Sequence, residues 1–334
     1  MKIWSRVQDF FGRLFGPRPP APGHFESGAK FSFRGWLAVA PWIWPRRKYL
    51  LYVPAGWSWF RRAPLLVFCH GCKQTPEDFA QGTRVAALAD RLGCLVLLPR
   101  QKKTANVWRC WNWFDPAVAR GYGEVAIVAA MIRSVRWRYR ADRRRVLAIG
   151  MSAGGALAAT LGVRHPEVVR AVAIHSGIAC GAAKSAFTAI GVMQRGPETD
   201  VAAIGAEART AASASLPIPL IVMHGMDDPV VGPVNSVALV RQFLCLNGHP
   251  VVNATAVPAG ELPPADAERS ETTAGGRMVT TRDWRIGERL VARHVAITGL
   301  GHAWSGGDDE LPFNDAGAPD ATALIGTFLR EALP

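Results

Sequence analysis

No stretch of this 334-residue sequence approaches 18 consecutive apolar residues, which argues against a membrane-crossing helix. Cysteine is sparse. The six residues, at 69, 72, 94, 110, 180 and 245, are too few for a disulfide scaffold. Cys69 and Cys72 form a C-x-x-C, but a second C-x-x-C or an H-x-H pair is missing, so a zinc site lacks its remaining ligands and no metal is expected. A thioredoxin-like motif would open a helix from its first cysteine, whereas Cys69 ends an apolar run and reads as core. Zinc-finger, homeodomain and RNA-recognition signatures are absent as well. Residues 1–16 hold no continuous apolar core and no A-x-A site follows, so a signal peptide is not expected.

Acids are in short supply: 26 Asp and Glu against 39 Lys and Arg give a net charge of +13. Residues 1–62 carry eleven of the bases and two acids, and a second cluster runs from Arg133 to Arg145. Such basicity suits a solvated surface, an anionic membrane surface or nucleic acid. With no recognition motif beside it, no nucleic-acid partner is expected. Trp4, Val7, Phe10, Phe11, Leu14 and Phe15 recur at helical spacing between Lys2, Arg6 and Arg13. That segment fits a short helix on a membrane surface, a helix packed on the domain, or no fixed structure. The following "GPRPPAPG" reads as a stiff linker. The oligomeric state stays open.

Beyond it, short apolar runs alternate with helical stretches. Strands are expected at 48–54, 64–71, 94–99, 145–151, 171–177 and 219–225, with helices at 76–92, 123–138, 154–165, 234–247 and 319–332. "RMVTTRDWRI" and "RLVARHVAITG" read as a late strand pair. Buried strands alternating with helices imply an α/β fold, a mostly parallel central sheet with helices on both faces. The expected division is a basic segment with its linker over 1–40 and one catalytic domain over 41–334. Residues 182–215, rich in Ala, Gly and Ser, read as a flexible cover, and 258–276 as a surface loop.

The strongest chemical signal is Gly150-x-Ser152-x-Gly154 between a strand and a helix. A serine on so sharp a turn projects its hydroxyl above the sheet edge, beside the positive end of the helix dipole. A hydroxyl needs a base to take its proton, and the base needs an acid to hold its tautomer. His302, in the glycine-flanked "GLGHAWSGG", suits the base. His165 reads as a cap or surface residue; His175, His224 and His294 read as structural. Just past the strand "PLIVMHG" stand Asp227 and Asp228; the H-G-x-x-D-x-x-V spacing favours Asp228 as the acid. The backbone N–H groups of Ala153 and Cys72, the latter in "HGCKQT", are the expected oxyanion donors.

These blocks, "HGCKQTPEDFA", "RCWNWFDP", "GMSAGGALAA", "HGMDDPVV" and "GLGHAWSGG", resemble the polyhydroxybutyrate-depolymerase-like esterases of the α/β-hydrolase fold. The resemblance spans about residues 45–332. It implies a cofactor-free serine hydrolase of short-chain esters, with Ser152 as nucleophile, Asp228 as acid and His302 as base. Members act on polyhydroxyalkanoates or on acetyl and feruloyl esters of polysaccharides. Trp111 and Trp304 are then expected to line the substrate cleft, and a Cys72–Cys110 disulfide to tie two loops over the site. Cys180 lacks the second cysteine that often follows it in the family. Family members are commonly secreted, which sets an extracellular location against a cytoplasmic or membrane-peripheral one, and a carboxy-terminal polymer-binding module is not expected. A competing reading is a non-catalytic protein on the same scaffold, held to a membrane by its basic N-terminus.

Overall fold

The computed structural model describes residues 22–31, 46–212, 216–254, 257–258 and 260–333. The expected amphipathic segment at 1–16 lies outside the described residues, as does most of the proline-rich linker. Ten strands form one sheet: β1 (His24–Phe31), β2 (Arg46–Val53), β3 (Leu65–Cys69), β4 (Leu95–Pro99), β5 (Val146–Met151), β6 (Ala171–His175), β7 (Leu220–Gly225), β8 (Ala267–Thr272), β9 (Met278–Ile286) and β10 (Arg289–Ile297). Their spatial order is β1-β2-β4-β3-β5-β6-β7-β10-β9-β8. The run from β4 to β10 is parallel, while β1 and β2 at one side and β9 and β8 at the other are antiparallel additions.

The parallel strands are apolar without alternation because both faces of the sheet are covered. In β3, Leu65, Val67 and Cys69 enter one core and Leu66 and Phe68 the other. The first core is roofed by helices Gly123–Arg138, Ala153–Arg164 and Val234–Asn247, the second by Pro76–Gly82, Val85–Leu92 and Ala321–Ala332. β3 lies between β4 and β5, so the chain leaves it in opposite directions on its two sides. Ligands in open α/β sheets bind at the carboxyl ends of strands around such a switch point. The segments that follow β3 and β5 are "HGCKQT" and Ser152.

Four expectations change. The helix expected over 76–92 is two: the Thr83 hydroxyl donates to the Phe79 carbonyl, and Arg84 turns left-handed at φ 53°. The supposed flexible cover at 182–215 contains helices Ala186–Arg195 and Val201–Ala212. Its alanines are strong helix formers, and the Ser185 hydroxyl accepts from the Thr188 N–H at 3.2 Å to start the first of them. The loop expected over 258–276 contains β8, whose residues are all exposed, so no apolar alternation marks it. The boundary drawn at residue 40 also fails, because β1 pairs along its whole length with β2. An edge strand takes its stability from the neighbour's hydrogen bonds and needs little apolar content.

Several histidines are locked into this frame. Burial holds His70 down to about 4 and His175 and His294 down to about 3, from an ordinary 6.5. Unfolding therefore takes up protons below pH 6.5, so stability is full above that pH and falls as the pH drops toward these lowered values. Thermal melts from pH 7.5 to pH 4 should show the midpoint flat above about pH 6.5 and declining steadily below it, by on the order of a few kcal/mol. A midpoint that rises on acidification contradicts this assignment.

Candidate active site

Ser152 occupies the turn between β5 and the helix Ala153–Arg164, at φ 56° and ψ −124°, a strained conformation for a residue with a Cβ. The turn is held by the Ser152 N–H, which donates to the His175 carbonyl at 3.0 Å. Its tightness explains Gly154, where an added Cβ would run into the Cys69 carbonyl at the end of β3. The helix that follows is buried along nearly its whole length and presents its first N–H groups at the serine.

His302 lies in the loop after β10 and Asp228 in the loop after β7, and β7 and β10 are neighbours in the sheet. His302 Nδ1 is 2.7 Å from Asp228 Oδ2. The loops meet because Gly225 has no side chain, since a Cβ there would collide with the carbonyls of Leu300 and Gly301. The other Asp228 oxygen accepts the N–H groups of Val230 and Val231 at 2.9 and 2.8 Å. Burial raises the Asp228 carboxyl, but the hydrogen bond and charge of His302, with these two N–H groups, outweigh it and leave the group below its usual value. Asp227 is exposed, so of the adjacent acids only Asp228 meets the imidazole. A carboxylate on Nδ1 fixes the imidazole with Nε2 free to accept a proton.

The loop after β3 completes the edge. Gly71 approaches Ser152 so closely that an added Cβ would lie 3.5 Å from the serine Cβ. The Gly71 N–H donates to Gln74 Oε1 at 2.8 Å and the Lys73 N–H to the Trp108 carbonyl at 2.6 Å. Between them, the Cys72 N–H has no acceptor among the described residues, and neither has the Ala153 N–H. Cys72 and Cys110 are joined by a disulfide, with an S–S separation of 2.12 Å. Cys69, by contrast, is a buried free thiol in β3, its pKa pushed up by burial. Cys180 is likewise buried and free.

Trp111 and Trp304 do not line a cleft: both are wholly buried. Trp111 donates its Nε1–H to the His70 carbonyl at 3.0 Å, and its bulk props the loop after β3 from below. Trp304 stacks on His175 and packs against Phe68 and Phe79, while its Nε1–H donates to the Thr322 hydroxyl at 3.1 Å. Each indole finds an acceptor in the core, which is why neither needs the surface. His165 is the C-cap of helix Ala153–Arg164, as one of its two expected roles has it, and is not on the surface. It is buried, with Nε2 2.9 Å from the Gly121 carbonyl.

Sequence reasoning missed the groups that support this edge. Gln101 N–H reaches His70 Nε2 at 3.3 Å, and the Gln101 side chain donates to the Cys110 carbonyl at 3.0 Å. Glu124, buried, accepts the Asn112 N–H at 2.8 Å and faces the buried Arg47 guanidinium at 3.5 Å. The one available signal was an isolated acid just before the apolar first half of a helix. Glu124→Ala strands Arg47 as an unpaired buried charge and should cost about 3–5 kcal/mol, read by urea denaturation. Cutting the disulfide with Cys72→Ser and Cys110→Ser reopens a 38-residue separation and should cost about 4 kcal/mol on the chain-entropy account. Melting the parent with and without reductant checks this independently.

A parallel sheet carrying a strained serine elbow, a carboxylate-held imidazole and free N–H groups at one carboxyl edge makes this an α/β-hydrolase. Residues 47–264 match the family model described as "Esterase PHB depolymerase", and the chain belongs to that family. The chain is 32% identical over 200 residues to poly(3-hydroxyalkanoate) depolymerase C of Paucimonas lemoignei, covering 59% of this chain and 48% of that protein. It is 34% identical over 117 residues to feruloyl esterase B of Neurospora crassa, covering 34% of this chain and 39% of that one. The chain thus spans about half the length, or less, of these curated relatives. Among solved structures, the acetyl xylan esterase from Aspergillus awamori superposes with a TM-score of 0.63 at 18% identity, over 83% of this chain and 94% of its own, a likeness of fold.

Proposed function

We propose that this protein hydrolyses short-chain esters of the 3-hydroxyalkanoate type through Ser152, His302 and Asp228. The observation that carries the reading is the 2.7 Å contact of His302 with Asp228 at the edge where Ser152 is turned outward. His302 Nε2 takes the Ser152 proton as Oγ adds to the ester carbonyl. The carbonyl oxygen, now negative, is held by the N–H groups of Cys72 and Ala153 at the positive end of the helix dipole. Collapse expels the alcohol, which receives the proton from His302, and leaves an acyl-serine. Water, deprotonated by the same imidazole, attacks that ester and releases the acid. Asp228 stays ionised throughout and stabilises the imidazolium.

The acyl preference rests on the surroundings. Val107 and Trp108 are exposed beside the Cys72 loop, and Met226 and Val230 flank Asp228. On the helix whose Met193 carbonyl receives the Gly232 N–H, Phe187 and Ile190 are exposed too. An apolar rim of this kind favours an aliphatic polyester over a hydrated polysaccharide. A panel of 3-hydroxybutyrate oligomers, acetylated xylan, methyl ferulate and p-nitrophenyl esters of increasing length tests it. The expected result is the highest kcat/KM on the oligomers and short p-nitrophenyl esters. Preference for methyl ferulate or acetylated xylan would replace the acyl assignment while leaving the triad in place.

A further inference from the structure

The opposite, amino edge of the sheet carries a second surface. The loop between β2 and β3 and the turn before β5 cross that edge side by side, with the Asp142 N–H on the Ala63 carbonyl at 2.8 Å and the Leu65 N–H on the Arg145 carbonyl at 2.9 Å. Arg62, Arg133, Arg136, Arg140 and Arg143 stand with Trp137 around an open cavity of about 470 Å³. Only Arg133 among these five is neutralised, by Glu167 at 2.6 Å; Asp142, the nearby acid, is engaged by Arg145 at 3.0 Å. Arg62, Arg136, Arg140 and Arg143 have no ion pair among the described residues, and the residues outside them include a single acid, Asp9. The C-terminal dipole of helix Gly123–Arg138 rewards Arg136, but not Arg62, Arg140 or Arg143, which sit on loops. Burial first, and then the charges of Arg143 and Arg133, hold the Arg136 guanidinium below its ordinary value, with Glu167 and Asp142 acting against them.

The same face exposes large apolar side chains that neither core uses. Phe60 is 91% exposed, Trp137 83% and Trp59 47%, and the Arg140 guanidinium lies over the Trp59 ring at 5.7 Å. Cations alone would suit any polyanion. A nucleic-acid duplex supplies phosphates but no apolar phase for Phe60 and Trp137, whereas a bilayer interface supplies anionic headgroups and an apolar boundary together. We propose that this amino-edge face docks the protein on an anionic lipid bilayer, the arginines against the headgroups and Phe60, Trp59 and Trp137 at the acyl boundary. Ser152 then faces away from the membrane, at the far end of β5, open to substrate from the aqueous side.

The test is sedimentation of the full chain with vesicles of equimolar phosphatidylcholine and phosphatidylglycerol, and with vesicles of phosphatidylcholine alone. Binding is expected on the first, weakening with salt, and little on the second. Each arginine near an anionic leaflet strengthens partitioning about fivefold, so Arg136→Gln, Arg140→Gln and Arg143→Gln together should weaken it roughly a hundredfold. Phe60→Ser with Trp137→Ser should weaken it about tenfold, with the salt dependence kept. A thermal melt at the parent midpoint certifies each variant's fold. If a combined variant melts early, Arg143→Gln and Phe60→Ser, both on exposed loops, stand in for it with proportionally smaller losses. The proposal is overturned if either class of variant partitions like the parent, or if the parent binds duplex DNA in an arginine-dependent way and leaves the anionic vesicles in solution.

Discussion

Ser152→Ala should lower the hydrolysis of p-nitrophenyl butyrate by about 10⁴- to 10⁶-fold while leaving the fold intact. The change removes one oxygen. It keeps a Cβ on a backbone held at φ 56° by the Ser152 N–H on the His175 carbonyl, so the turn is as strained as before and no more. Stability should stay within about 1 kcal/mol of the parent by thermal melt. What activity survives reflects binding and the N–H groups of Cys72 and Ala153 acting on water attack alone. A loss of tenfold or less in a well-folded variant would show that the proton-accepting pair of His302 and Asp228 serves some other nucleophile.

The second large effect separates two neighbouring acids. Asp228→Asn should reduce kcat by about 10⁴-fold, because an amide can no longer hold Nδ1–H and the imidazole turns its wrong tautomer toward Ser152. Asp227→Asn should change kcat by less than about twofold, since Asp227 is exposed and its hydrogen-bonding role is that of its backbone, whose N–H donates to the Leu300 carbonyl at 3.2 Å. The pair also differs in stability. Asp228 is held below its ordinary value by His302 and by the N–H groups of Val230 and Val231, against burial that raises it, so its contribution is present above the unfolded carboxylate range and is lost as the pH falls through the lowered folded value. The asparagine at 228 should therefore flatten the acid end of the stability curve, while that at 227 should not. Equal activity losses at the two positions would contradict the arrangement.

Much of the fold was legible because the parallel strands are written as uninterrupted apolar runs. "RVLAIGM" and "PLIVMHG" stop at the last residues of β5 and β7, and "PLLVFCHG" runs two residues past the end of β3 into its loop. Loops follow those stops, and it is the motifs in them, together with chain order, that propose Ser152, Asp228 and His302, as the place beyond β3 proposes Cys72. What stayed hidden has a common cause. β1 and β8 are edge strands with little apolar content, and their pairing depends on a neighbour distant in sequence. Trp111 and Trp304 looked like a cleft lining because loop tryptophans near a sheet end suit ligands. Their burial depends on acceptors, the His70 carbonyl and the Thr322 hydroxyl, that no local pattern announces. The support of the Cys72 loop by Gln101, Glu124 and Arg47 is also long-range, drawn from three separate elements.

The central claim is that Ser152 is the activated nucleophile, and covalent trapping tests it most directly. The folded parent is treated with a fluorophosphonate probe and its peptides are mapped by mass spectrometry. One labelled residue is expected, Ser152, with the label lost in the Asp228→Asn and His302→Ala variants along with esterase activity. Label on any other residue with Ser152 unmodified, or esterase activity that persists after Ser152 is fully labelled, would contradict it.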